Sequence, residues 1–141
     1  MRVLILCTGN SCRSPMAAAL LRQQRPSWEV ASAGTYPLDQ VHPLTVRVMA
    51  EVGLDISGER PQPVGPLTGQ PFDHVITVCD DAREACPVFT GEVHHRHHLP
   101  FTDPYWALGT EGERLAVFRR VRDSIRQGFE DWVRELEQPN E

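Results

Sequence analysis

No apolar run in the chain approaches the roughly 20 residues that span a bilayer. The longest, residues 16–21, has six, so a membrane-spanning helix is excluded. A positive excess is missing as well. Fourteen basic side chains against 19 acidic ones leave a net charge of −5, which speaks against nucleic acid or an anionic membrane as a partner. Lysine is absent: all 14 basic residues are arginine, which with 12 prolines points to a GC-rich or heat-adapted source. No repeat, linker or low-complexity tract divides the chain, and 141 residues fit one domain over 1–141 with a real core. A signal peptide is not read either, since Met1-Arg2 leads straight into a short strand-like run. The cytoplasm is the expected address. There, four cysteines, at 7, 12, 79 and 86, are expected to be reactive or metal-binding rather than structural disulfides.

What is present alternates. Residues 2–6, RVLIL, read as a buried strand, and Ser14-Pro15 as a helix start, with the helix running over 15–24 to Pro26. Residues 28–32 give a second strand. Leu44, Val48 and Val52 recur every four residues over 43–52, a helix with Gly53 as its C-cap. Four prolines and three glycines make 55–72 a loop with one short helix at most. Residues 73–78, DHVITV, are the third strand and 93–98 the fourth. Leu115, Phe118, Val121, Ile125, Phe129, Trp132 and Leu136 line one face of a helix over 111–137. The order implies an α/β fold, a four-stranded, mostly parallel sheet flanked by helices. Ligands of such sheets bind beyond the carboxyl ends of the strands, where Cys7 and Cys79 both fall.

The stretch CTGNSCRS, residues 7–14, joins the first strand to the first helix. A turn of this kind can wrap a tetrahedral oxyanion with the N–H groups of residues 8–13. Thr8, Gly9, Asn10, Ser11, Cys12, Arg13 and Ser14 are thus the expected oxyanion-binding set. Gly9 relaxes the backbone and Asn10 tolerates a left-handed conformation. The planar fork of Arg13 can grip two oxygens. Cys7 sits where the dipoles converge, so its thiolate is expected to be favoured, with a pKa lowered to roughly 3.5–7.5, and Ser14 to donate to it. Cys12 is read as structural, its side chain turned away. Two plainer readings compete: a buried cysteine at a strand end, and zinc. Zinc calls for Cys-x2–4-Cys pairs, whereas the spacings here are Cys-x4-Cys and Cys-x6-Cys beside Arg13.

Cys-x5-Arg-Ser after an N-terminal strand resembles the phosphate loop of low-molecular-weight protein tyrosine phosphatases and of the thioredoxin-coupled arsenate reductases built on the same fold. A phosphatase has no use for VCDDAREACP, residues 78–87, which resembles the second and third redox cysteines of the reductases. The resemblance extends to SAG at 32–34, HPLTVRVMAEVGLDIS at 42–57 and RLAVFRRVRDSIR at 114–126, essentially the whole chain. It implies that Cys7 attacks arsenic, that Arg13 and the loop amides bind the oxyanion, and that Cys79 and then Cys86 carry the oxidation outward to thioredoxin. The substrate implied is arsenate or a phosphate-like oxyanion, the protein a monomer, and the alternative a phosphatase working through a Cys7 phosphocysteine. No tightly bound cofactor is implied. Some reductases hold potassium near the loop; Asn10 and Ser32 would correspond, but the stretch after DIS lacks the usual threonine and acid, so that site is in doubt here.

Asp103, in TDPYW, is the expected proton source, and the Tyr105 that follows is typical of the phosphatases. His94, His95, His97 and His98 invite a metal reading without an acidic or cysteine partner in view. A helix over 79–86 would hold its two cysteines roughly 10.5 Å apart along the axis, beyond the about 7 Å between Cα atoms that a disulfide tolerates. Residues 80–89 are therefore expected to be helical or partly so when reduced and to reorganise when the Cys79–Cys86 disulfide forms.

Overall fold

The computed structural model describes residues 1–79 and 87–138. Four strands form one sheet in the order β2-β1-β3-β4: β1 Arg2–Cys7, β2 Glu29–Gly34, β3 Phe72–Thr77 and β4 Val93–His98. Every pairing is parallel, so the sheet is wholly rather than mostly parallel. Central strands of such a sheet are buried on both faces and read as continuous apolar runs, and Val3, Leu4, Ile5 and Leu6 of β1 are fully buried.

Among the described residues three α-helices accompany the sheet: α1 Arg13–Gln24, α2 Pro43–Ala50 and α3 Glu111–Glu137. The alanines of α1 let it lie close against the sheet, where Met16 to Leu21 are all buried. The Gly53 cap forms as expected. Gly53 takes φ +81°, its N–H donates to Ala50 O, and Leu54 N–H reaches Met49 O at 3.0 Å, the paired bonds of a Schellman ending. α3 begins with a capping box, in which Thr110 accepts from Glu113 N–H and Glu113 accepts from Thr110 N–H. Its apolar face, Leu115 through Trp132, enters the core. Short 3-10 turns at Gly65–Leu67 and Pro104–Trp106 complete the described elements.

Several boundaries moved by one or two residues. β1 ends at Cys7 rather than 6, and β2 starts at Glu29 rather than 28. α2 ends at Ala50 rather than 52, and β3 spans Phe72–Thr77 rather than 73–78. β2 runs two residues further than expected because Ala33 and Gly34 pair with Leu6 and Cys7. α1 begins at Arg13, two residues early, inside the expected loop. The helix expected over 80–89 falls outside the described residues as far as 86, and so does Cys86; residues 87–89 carry no helix or strand. Because all strands run the same way, Cys7 at the end of β1 and Cys79 two residues past β3 emerge at one edge of the sheet.

Candidate active site

Residues 7–13 curl between β1 and α1 into a cradle, and a second segment fixes which way its peptides face. Residues 35–42 run alongside and donate to the loop carbonyls: Thr35 N–H to Cys7 O at 3.2 Å, Tyr36 N–H to Thr8 O and Leu38 N–H to Gly9 O at 2.9 Å, and His42 N–H to Ser11 O at 3.0 Å. In a trans peptide the N–H opposes the C=O. Carbonyls drawn outward therefore turn the N–H groups of residues 8, 9, 10 and 12 away from the strap and into the cradle. α1 adds its own N-terminus. Cys12, its N-cap, makes no side-chain capping bond, and no acidic residue occupies the first turn, which leaves first-turn N–H groups and the positive end of the helix dipole to an anion.

Asn10 locks this arrangement from behind. It takes φ +50° and is buried. Its Nδ2 donates to Ser14 Oγ at 2.8 Å and Ser32 Oγ at 3.0 Å, and its Oδ1 accepts from Gln62 N–H at 2.9 Å. Ser14 Oγ, which accepts from Asn10, stands 2.8 Å from Cys7 Sγ, within reach to donate its proton to a thiolate there. Asn10 N–H also points at that sulfur, at 3.2 Å. Gly34 completes the fit: a Cβ there would stand 2.6 Å from Thr8 O, so only glycine lets β2 pass so close under the loop.

The Cys7 thiol differs from expectation. Burial pushes its pKa up, against the pull of the Ser14 hydroxyl, the Ser14 and Asn10 amides and the Arg13 charge. The depressed pKa expected from the converging dipoles leaves out the cost of burying a thiolate that is 2% exposed. The reactive thiolate therefore accumulates as the pH rises, and Ser14 governs where. Ser14→Ala removes a hydrogen bond to a charged sulfur, worth about 1.5–3 kcal/mol, and pushes the Cys7 thiol further up. Iodoacetamide alkylation mapped to Cys7 by mass spectrometry is expected to slow about tenfold or more at neutral pH and to recover in alkali. An unchanged pH profile would show that the hydroxyl does not stabilise the thiolate.

Arg13 bridges the cradle to the loop that follows β4. Its Nη1 donates to Phe101 O at 3.2 Å, and its Nη2 lies 3.2 Å from Asp103 Oδ2. Two of its five N–H groups are engaged in this way, leaving three for an oxyanion. Asp103 Oδ1 accepts from Tyr105 N–H at 3.0 Å and so caps the 3-10 turn. Cys79 meets the loop at Thr8, its sulfur 3.3 Å from Thr8 Oγ1. Cys12 is buried behind, beside Thr45 of α2, and burial pushes its thiol up to about 12. It is a neutral thiol at neutral pH.

Cys7, Thr8, Gly9, Ser11, Cys12 and Arg13 form the floor of a hollow of about 270 Å³, and Tyr36, Leu38, Asp103, Tyr105 and Trp106 form its walls. The structure thus brings Cys7, Arg13 and Asp103 together at one hollow, while Cys79 meets the loop at Thr8. It places the side chains of Asn10 and Ser14 behind the loop rather than in the hollow. Unread in the sequence were the strap, the close approach at Gly34 and the aromatic mouth. Only Gly34 carried a signal, as a glycine ending a strand where another backbone passes close.

The histidines of β4 pack by strand face. His95 and His97 meet buried His74 of β3, with His74 Nδ1 2.9 Å from His97 Nε2, and Trp132 stands edge-on to His74 and His97. Burial, with His97 and His95 beside it, drives His74 down to about 4, so it is neutral at physiological pH. His94 sits between Asp73 and Glu92 at 3.3 Å from each, and His98 Nδ1 is 2.8 Å from Thr77 Oγ1. Among the described residues no group of three or more His, Cys, Asp or Glu side chains is placed to hold a metal ion. No described helix is long and apolar enough to cross a membrane.

The sequence matches the low molecular weight phosphotyrosine protein phosphatase family over residues 2–141. It is 42% identical over 124 residues to an arsenate reductase of Bacillus subtilis, covering 87% of this chain and 88% of that protein. Similar solved structures include an arsenate reductase in the phosphate-binding state, 30% identical with a TM-score of 0.73 over 95% of this chain and 97% of that one. A low molecular weight protein tyrosine phosphatase from T. tengcongensis, 24% identical with a TM-score of 0.77 over 96% and 99%, shares the fold.

Proposed function

Because the chain belongs to the low molecular weight phosphotyrosine protein phosphatase family, with arsenate reductases among its relatives at 42% identity, we propose that it reduces arsenate to arsenite by a thiol relay. The observation that carries this reading is a second thiol, Cys79, whose sulfur meets Thr8 of the oxyanion cradle at 3.3 Å. Hydrolysis needs one cysteine there; reduction needs two.

In the first step the Cys7 thiolate attacks arsenic while loop N–H groups and Arg13 hold the oxygens. One oxygen leaves as water, with Asp103 as the proton source, and a sulfur–arsenic bond remains. The Cys79 thiolate then attacks Cys7 Sγ. The sulfur–arsenic pair stays on arsenic, which departs as arsenite two electrons richer, and a Cys7–Cys79 disulfide forms. Cys86 attacks Cys79 in turn and frees Cys7. The Cys79–Cys86 disulfide is reduced by thioredoxin, in keeping with a protein that carries its own resolving cysteines. The chain works as a cytoplasmic monomer with no resident cofactor. Against potassium stands the use of Asn10: its oxygen accepts the Gln62 N–H, and its amide nitrogen faces Ser32.

One observation favours phosphomonoester hydrolysis as a second activity of the same thiolate. Tyr36, Tyr105 and Trp106 line the mouth, and arsenate itself has no apolar group for them to meet. A single preparation assayed in parallel separates the two. Arsenate-dependent NADPH consumption with thioredoxin and thioredoxin reductase is expected, alongside slower aryl phosphate hydrolysis. Hydrolysis with no arsenate-dependent NADPH consumption would leave the phosphatase reading alone.

A further inference from the structure

Resting on the reading above, we propose that His42 is a positioning residue that couples the oxyanion cradle to the loop bearing Asp103. His42 is the last residue of the strap and the N-cap of α2. Its N–H donates to Ser11 O at 3.0 Å, which ties it to the cradle. Its Nδ1 accepts from Leu44 N–H at 3.0 Å. That bond requires an unprotonated Nδ1, so the ring is neutral with its proton on Nε2, a state in keeping with its burial and with Arg114 nearby.

Capping accounts for one edge of the ring and leaves its faces to packing. The ring lies against Phe118 of α3, with centroids 4.8 Å apart, and stands at 85° to Tyr105, 5.7 Å away. Tyr105 is the residue whose N–H holds Asp103 Oδ1, while Asp103 Oδ2 pairs with Arg13. The contacts therefore close a circuit: cradle carbonyl, His42, Tyr105, Asp103, Arg13 and back to the cradle. An asparagine or aspartate would cap α2 equally well. What histidine adds is a rigid ring that fixes where Tyr105, and with it Asp103, stands over the bound oxyanion.

The two roles of His42 come apart by substitution. His42→Asn retains a capping oxygen and removes the ring; His42→Phe retains a ring and removes the capping acceptor. His42→Asn is expected to lower kcat for arsenate about fivefold, with KM near wild type and a Tm loss set by the Phe118 contact rather than by the cap. His42→Phe is expected to lower Tm while kcat stays within about twofold, because the Tyr105 contact survives. Tyr105→Leu, from the other side of the ring pair, must lower kcat similarly and not add to His42→Asn. In an Asp103→Asn background, His42→Asn should cost nothing further. The same fivefold loss in that background, or an unchanged kcat in His42→Asn, would overturn the assignment. If the wild type hydrolyses aryl phosphate but reduces no arsenate, the arsenate reading has failed on its own. The cycle is then read on hydrolysis, where Asp103 serves as the acid and the same outcomes decide.

Discussion

Cys79→Ser is expected to abolish arsenate turnover, by about 10³-fold or more, and to leave aryl phosphate hydrolysis within about threefold of wild type. The asymmetry follows from what each reaction asks of the second thiol. Hydrolysis of a phosphocysteine uses water, and its proton transfers fall to Asp103, which pairs with Arg13. Reduction needs a nucleophile that attacks sulfur and ends in a disulfide, which a serine hydroxyl cannot form. A serine at 79 can still meet Thr8 Oγ1, where the sulfur stands 3.3 Å away, so the cradle has no reason to collapse. Loss of both activities to the same extent in a folded variant would count against Cys79 as a relay residue.

Cys7→Ser is expected to abolish both activities, again by about 10³-fold or more, while inorganic phosphate still binds. Both reactions begin with the same thiolate. An alcohol with an ordinary, far higher pKa does not ionise in a site whose burial already pushes the thiol up. Binding rests on other groups: the amides turned inward by the strap, and Arg13. Trp106, at the mouth and 75% exposed, gives a fluorescence signal for a phosphate titration. Residual arsenate turnover in Cys7→Ser would place the first attack on another thiol. The neutral state of Cys12, whose pKa burial pushes up to about 12, argues against that substitute.

Local pattern accounts for most of what the sequence made legible. β4 and α3 run over the expected residues, α3 because seven apolar side chains in steps of three and four define one face. The cradle was legible because its chemistry is contiguous, from Cys7 to Ser14. Approach between distant segments was not legible. Nothing in residues 35–42 announces that their N–H groups hold the carbonyls of residues 7, 8, 9 and 11, yet that pairing turns the cradle amides inward. The early start of α1 at Arg13 has the same origin, for the cradle itself ends in helical backbone without a side-chain cap. The Cys7 pKa was misjudged because hydrogen-bonding residue types can be read from sequence and burial depth cannot. Cys86 and the expected reorganisation of 80–89 stand on sequence and chemistry alone, since residues 80–86 lie outside the described part of the chain.

The relay is tested most directly by a single turnover of reduced Cys86→Ser with excess arsenate, followed by non-reducing peptide mass spectrometry. Without its last thiol the relay must stop one step early. The expected product is one Cys7–Cys79 disulfide per chain with one equivalent of arsenite released. Arsenite released with Cys7 and Cys79 both still as thiols, or Cys7 joined instead to Cys12, would contradict the order of transfer set out above.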